Sequence, residues 1–137
     1  MSAFHITHLD HVSVLVTDLE RSRRFYGGVL GLREIPKPRT FTFSVLWFDL
    51  GGGQLHLLLK PKADAVSPRH FALRVADIDA ARHHFRAHGV AIEETVLIPG
   101  ADRFFVADPD ANRIEIIHWA APYDPAASGA AALDGAS

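Results

Sequence analysis

Hydrophobic and polar positions alternate in four short stretches of the chain, and in each stretch the two parities differ sharply. Val12, Val14 and Val16 alternate with His11, Ser13 and Leu15; Leu55, Leu57 and Leu59 alternate with Gln54 and His56. Phe71, Leu73 and Val75 alternate with His70, Ala72 and Arg74, and Ile114 and Ile116 with Arg113 and Glu115. A period of two with β-branched enrichment predicts strands over about 9–16, 54–60, 69–75 and 113–119. After the first and third, the spacing turns helical, with Leu19, Phe25, Tyr26 and Val29, then Ile78, Ala81 and Phe85. Thr17 and Glu20 form a T-x-x-E capping box, and Asp77 is the cap of the second helix. Gly27, Gly28 and Gly31 weaken and end the first helix, and Gly89 ends the second.

Weaker patterns complete each half. Short strands are expected near 32–36, 42–49, 90–96 and 102–107. Pro36-Lys-Pro38 marks a loop, Gly51–Gly53 a tight turn, and Asp108-Pro-Asp-Ala-Asn112 a hairpin loop. The halves are copies at an offset of 59 residues, which carries His11 to His70, Asp18 to Asp77, Asp49 to Asp108 and His56 to Glu115. Strand, helix and three strands thus occur twice, in modules of about 8–60 and 69–119 joined by 60–69. The predicted class is α+β: two βαβββ modules in pseudo-twofold arrangement, forming a single domain over 1–122. Residues 123–137, rich in Ala, Gly and Ser, read as a mobile tail.

Composition narrows the partners. A chain of 137 residues, 48% of them hydrophobic, is long enough for one soluble domain with a proper core. Its formal charge of −2, without a basic run, gives no reason to expect nucleic acid or an anionic membrane. Zero cysteines exclude disulfides and thiolate metal sites. Neither a secretory leader nor an apolar run near the ~20 residues of a membrane span is present, so the cytoplasm is the expected location.

The strand faces carry the candidate chemistry. Side chains alternate across a sheet, so the apolar parity packs under the helices and the other lies on the helix-free face. That second face holds His11, His56, His70 and Glu115 at repeat-equivalent places. Three imidazoles and a carboxylate suit one divalent ion such as Ni, Zn, Co, Mn or Fe(II). His83, His84 and His88 fall on the second helix as solvated residues, whereas Asp18 and Asp77 are explained as helix caps and Asp49 and Asp108 as turn residues. Arg74 shares the His70 face and is a candidate anchor for an anionic group. Ser13 and Trp47 are further substrate-binding candidates, although parity alone does not place Phe43, Trp47, Phe104 or Phe105.

These segments resemble the vicinal oxygen chelate superfamily, which includes glyoxalase I, fosfomycin- and bleomycin-resistance proteins and extradiol dioxygenases. The resemblance runs through Leu9-Asp-His11-Val-Ser-Val, Phe25-Tyr26 with Leu30-Gly31-Leu32, Arg69-His70-Phe-Ala-Leu-Arg-Val and Phe105-Val-Ala-Asp108-Pro109-Asp110 to Glu115. It implies a cupped eight-stranded mixed sheet and metal ligands at His11, His56, His70 and Glu115. It further implies a small-molecule substrate chelated through adjacent oxygens. A homodimer is expected because a cup left open at an edge would expose unpaired strands. Glyoxalase I-like members carry Glu where this chain has His56. Fosfomycin-type members resemble it in the His11, His70 and Glu115 triad, yet no basic residue here stands out for a phosphonate.

Three activities follow as expectations. One is a metal-dependent, glyoxalase-like lyase or isomerase, with Glu115 or His56 as the general base. The second is an Fe(II) extradiol-type dioxygenase using His11, His70 and Glu115. The third is a non-catalytic protein that sequesters a drug or other ligand.

Overall fold

The computed structural model describes residues 3–127 together with Gly129 and Leu133; the expected tail at 123–137 lies partly outside the described residues. Two compact units divide the chain. The first runs to Ser67 and includes Asp108–Asn112; the second comprises Pro68–Ala107 and the residues from Arg113 onward.

In the first unit, β1 (His11–Val16) leads to α1 (Leu19–Arg23), then β2 (Arg33–Ile35), β3 (Val45–Asp49) and β4 (Gln54–Leu59). The strands lie in the order β1-β4-β3-β2, with β1 and β4 parallel and the remaining pairs antiparallel. The second unit repeats the plan with β5 (His70–Arg74), α2 (Ile78–Ala87), β6 (Glu93–Glu94), β7 (Ala101–Ala107) and β8 (Arg113–Trp119). Its order is β5-β8-β7-β6, again with the first and last strands parallel. The two βαβββ modules are therefore present, each as a four-stranded mixed sheet.

Burial follows the apolar parity. Val16, Tyr26, Phe48, Leu55 and Leu57 are enclosed in the first unit, and Phe85, Phe104, Ile114 and Ile116 in the second. Burying side chains of this size removes about 1.5–3 kcal/mol of unfavourable hydration each. Ile78 and Phe85 are the buried positions of α2, as its spacing predicts. Gly89 takes a φ of 70°, the left-handed turn that ends a helix at glycine.

The first helix keeps one of its two expected caps. Asp18 is the cap, its Oδ1 accepting from the Arg21 amide at 3.0 Å, whereas the capping box expected at Thr17 does not form. Thr17 is drawn away by a buried carboxylate: its amide and hydroxyl donate to Asp110 at 3.0 and 2.6 Å. After Arg23 the chain widens into a π-helical turn over Arg24–Val29, closed by the Leu30 amide on the Phe25 carbonyl at 2.9 Å. That turn carries the adjacent rings of Phe25 and Tyr26 into the core, 7% and 0% exposed.

The loop Asp108–Asn112 is more than a turn. Asp108, 5% exposed, accepts from the Asp110 and Asn112 amides, the Asn112 side-chain amide and the Tyr26 hydroxyl, the last at 2.7 Å. Burial, and then the Asp108 carboxylate, push the Tyr26 phenol far up from its ordinary range. Asn112 also donates to the Leu15 carbonyl at 2.9 Å, tying the loop to β1.

Candidate functional site

Register decides which side chains share a face. In the first unit, β1 and β4 pair His11 with Gln54 and Ser13 with His56, while β3 sets Trp47 directly across from His56. The His56 ring is consequently stacked between two others. Its centroid lies 4.0 Å from Trp47, with planes 2° apart, and 4.1 Å from His11. Trp47 in turn meets Phe41 edge-on at 5.6 Å, and Phe41 stacks on Phe43 at 4.7 Å.

The two imidazoles of this unit sit in different environments. His11 is partly exposed, and its Nδ1 donates to Asp10 Oδ1 at 2.8 Å. That bond holds the Asp10 carboxyl below its ordinary range and leaves His11 Nε2 as a lone-pair donor. His56 is buried, and its Nε2 lies 2.9 Å from Gln54 Oε1. Desolvation, followed by the neighbouring His11, keeps this imidazole below the usual 6.5, so His56 favours its neutral form. A cavity of about 320 Å³ opens against His8, Asp10, Asp49, Gln54 and the Gly51–Gly53 turn. Asp10 and Gln54, which hold His11 and His56, thus also line an open space.

In the second unit, His70 and Glu115 meet. The strands pair His70 with Arg113 and Ala72 with Glu115, which places His70 and Glu115 diagonally on one face. His70 Nε2 is 3.0 Å from Glu115 Oε1, and its Nδ1 lies 2.9 Å from the Pro68 carbonyl. Both contacts are acceptors, whereas a neutral imidazole has a single N–H to give. With that N–H on Pro68, a lone pair and a carboxylate oxygen face each other. Such a pair calls for a shared proton or a cation, so these donors fit a divalent ion. Among the described residues no group of three or more His, Asp or Glu side chains is disposed to hold a metal; the candidate ligands occur as two pairs, one in each unit.

The remaining candidates are placed as follows. Ser13 is exposed and opposite His56; Arg74 is exposed on the face of His70. Phe105 pairs with Glu115 and meets the His70 ring edge-on at 4.9 Å, whereas Phe104 is wholly enclosed in the core. His83 and His84 are exposed on α2, and His88 is exposed at its C-cap.

One neighbour of the second pair was not anticipated. Arg103 Nη1 approaches Glu115 Oε1 at 3.6 Å, with its side chain 18% exposed. Its parity equals that of Phe105, but the adjacent Asp102 and Phe104 obscure any clean alternation in the sequence.

Relatives point the same way. Residues 8–116 match the family model described as the Glyoxalase/Bleomycin resistance protein/Dioxygenase superfamily. The Arabidopsis thaliana protein called glyoxylase I 4 is 30% identical over 123 residues, covering 82% of this chain and 71% of that protein. A solved structure assigned to the glyoxalase family, from Bacillus anthracis, superimposes with a TM-score of 0.80 at 30% identity, covering 86% of this chain and 99% of the other. TnmS3, an antibiotic binding protein from Streptomyces sp. CB03234, does so with a TM-score of 0.72 at 25% identity, over 85% and 99% of the two chains. With the repeated module, the strand order and the matched residues in agreement, this chain belongs to the Glyoxalase/Bleomycin resistance protein/Dioxygenase superfamily.

Proposed function

We propose that the protein is a metal-dependent lyase or isomerase of glyoxalase type, acting on a small substrate held through adjacent oxygens. The candidate ligands are His11 and His56 on the first unit and His70 and Glu115 on the second. The observation that carries this reading is the His70–Glu115 contact, 3.0 Å between a ring nitrogen and a carboxylate oxygen, with the other ring nitrogen 2.9 Å from the Pro68 carbonyl. A divalent ion, whether nickel, zinc, cobalt, manganese or iron, would supply Lewis acidity toward the substrate oxygens.

The chain's own groups do the rest. Pro68 fixes the His70 ring through Nδ1, and Asp10 does the same for His11. Glu115, 6% exposed, removes a proton from a carbon beside a carbonyl and returns it to the neighbouring atom, shielded from bulk water. His56, held neutral by burial, is the other base within this set. Trp47 and Ser13 are the substrate-binding candidates of the first unit, and Arg74 is that of the second.

A second reading is a ligand-sequestering protein. It is favoured by the run of rings from Phe43 through Phe41, Trp47 and His56 to His11, and by the likeness to TnmS3. Aromatic faces of this kind stack on planar ligands.

Elemental analysis of wild type and His70→Ala, after reconstitution with each ion, separates these readings. Stoichiometric metal that His70→Ala loses, with turnover under anaerobic conditions, is the expected result. Oxygen consumption with iron would instead identify a dioxygenase. Wild type that takes up no ion would overturn the catalytic reading.

A further inference from the structure

The helix-free face of the second unit carries an arginine pattern that metal ligation leaves unused. Register arranges the face of β5, β8 and β7 in rows. His70 and Arg113 share one row, Ala72, Glu115 and Phe105 the next, and Arg74, Ile117 and Arg103 the one after. Two arginines thus flank Ile117 from opposite sides, one row beyond Glu115. Adjacent strands lie ~4.8 Å apart and same-face residues ~6.7 Å apart along a strand. The Cα atoms of Arg74 and Arg103 are accordingly about 10 Å from each other, within reach of one anion held between two side chains.

The charges of this face are unevenly matched. Arg113 lies over the Phe105 ring at 4.0 Å and is paired with Glu93 at 3.1 Å. Arg103 donates its Nε to the Val96 carbonyl at 2.9 Å, and its ion-pair distance of 3.6 Å to Glu115 is too long for a hydrogen bond. The side chain of Arg74 makes no hydrogen bond or ion pair among the described residues and is exposed. Ile117 between them is 7% exposed and gives an apolar floor. Beside Glu115, Ala72 leaves room where any larger side chain would project.

We propose that Arg74 and Arg103 form an anion subsite, which holds a carboxylate of the substrate one row away from the His70–Glu115 pair. The substrate class is then a small oxygenated acid: adjacent oxygens at one end and a second, anionic group at the other. This rests on the reading of His70 and Glu115 as the chelating end. A planar carboxylate suits the paired N–H groups of a guanidinium, and Arg74, with no ionic partner, gains more from it than Arg103, which already lies 3.6 Å from Glu115.

The test compares two probes by calorimetry, with and without added zinc. In 2-oxoglutarate a 2-oxo acid carries a second carboxylate; in 2-oxopentanoate a methyl group replaces it. Wild type is expected to prefer 2-oxoglutarate by roughly tenfold, the range of one charge-assisted hydrogen bond. Arg74→Gln and Arg103→Gln should each shrink that preference, and the double variant should abolish it. Arg103→Lys should retain part of it, as evidence that charge and not local packing is responsible. Equal affinity for the probes in wild type, binding of neither, or a preference that survives in the double variant would overturn the subsite. Metal content and the affinity of His70→Ala for 2-oxopentanoate, followed in the same samples, report separately on the chelating end.

Discussion

Trp47 and His56 face each other across β3 and β4 as parallel rings, 4.0 Å between centroids and 2° between planes. Cross-strand pairs on one face are the unit of sheet stabilisation, and here the pair couples the core to the candidate site. The indole Nε1 of Trp47 is buried without a hydrogen-bond partner, so what the ring offers is its flat surface. Trp47→Ala is expected to lower unfolding free energy by about 2–4 kcal/mol, and Trp47→Phe by about 1 kcal/mol or less. Urea denaturation of the two variants checks this; an equal loss in both would mean that stacking area is not what matters.

Tyr26 and Asp108 make a second prediction. Tyr26→Phe removes one donor to a buried carboxylate and should cost about 1.5–3 kcal/mol. Asp108→Ala removes the acceptor for four donors at once and should cost more. Thermal melts of both variants would rank them; a Tyr26→Phe protein as stable as wild type would contradict the account.

Asp110 gives the protein a pH dependence of defined sign. Burial alone would raise its carboxyl, but the Thr17 hydroxyl and amide and the Arg21 guanidinium outweigh that and hold it below the ordinary 3.8. A carboxyl depressed in the folded state adds stability that is present above the unfolded value and lost as pH falls through the folded one. The stability difference between wild type and Asp110→Asn should therefore be constant near neutrality and should narrow below about pH 4. Denaturation curves across pH 2–7 would show it, and a difference that grows on acidification would reverse the assignment.

Ala111 is the one non-glycine residue with positive φ among those described, at 65°. Left-handed backbone costs an L-residue on the order of 1 kcal/mol, which Ala111→Gly should return despite the greater freedom of unfolded glycine. A melting temperature unchanged or lowered in this variant would show that the loop's hydrogen bonds, and not its backbone angle, set its stability.

Strand parity made much of this legible. The faces of β1, β4, β5 and β8 could be read because each pairs a run of aliphatic residues with one or two polar ones, and that pattern placed His11 with His56 and His70 with Glu115. The edge strands were legible only as regions: β2 and β6 cover three and two residues, since an edge with one neighbour leaves little pattern in the chain. Thr17 was misread because its T-x-x-E spacing satisfies a capping box, while the carboxylate that claims its hydroxyl lies 93 residues away. The π-helical turn escaped for a related reason: Gly27 and Gly28 signal weakness in a helix without saying whether it ends or widens. Arg103 was hidden because only register with β8 brings it beside Glu115.

The Asp108–Asn112 loop has a consequence for the repeat. Its positions come from the second copy, yet it completes the first unit, supplying acceptors for Tyr26, Thr17 and Arg21. Asp49, the counterpart of Asp108, is instead spent on Arg33 and the Gly51 amide. A gene severed at Ser67 would encode a first half whose buried phenol lacks its Asp108 acceptor. Repetition in the sequence is therefore not repetition in assembly, because the first unit closes only with residues that the second copy supplies.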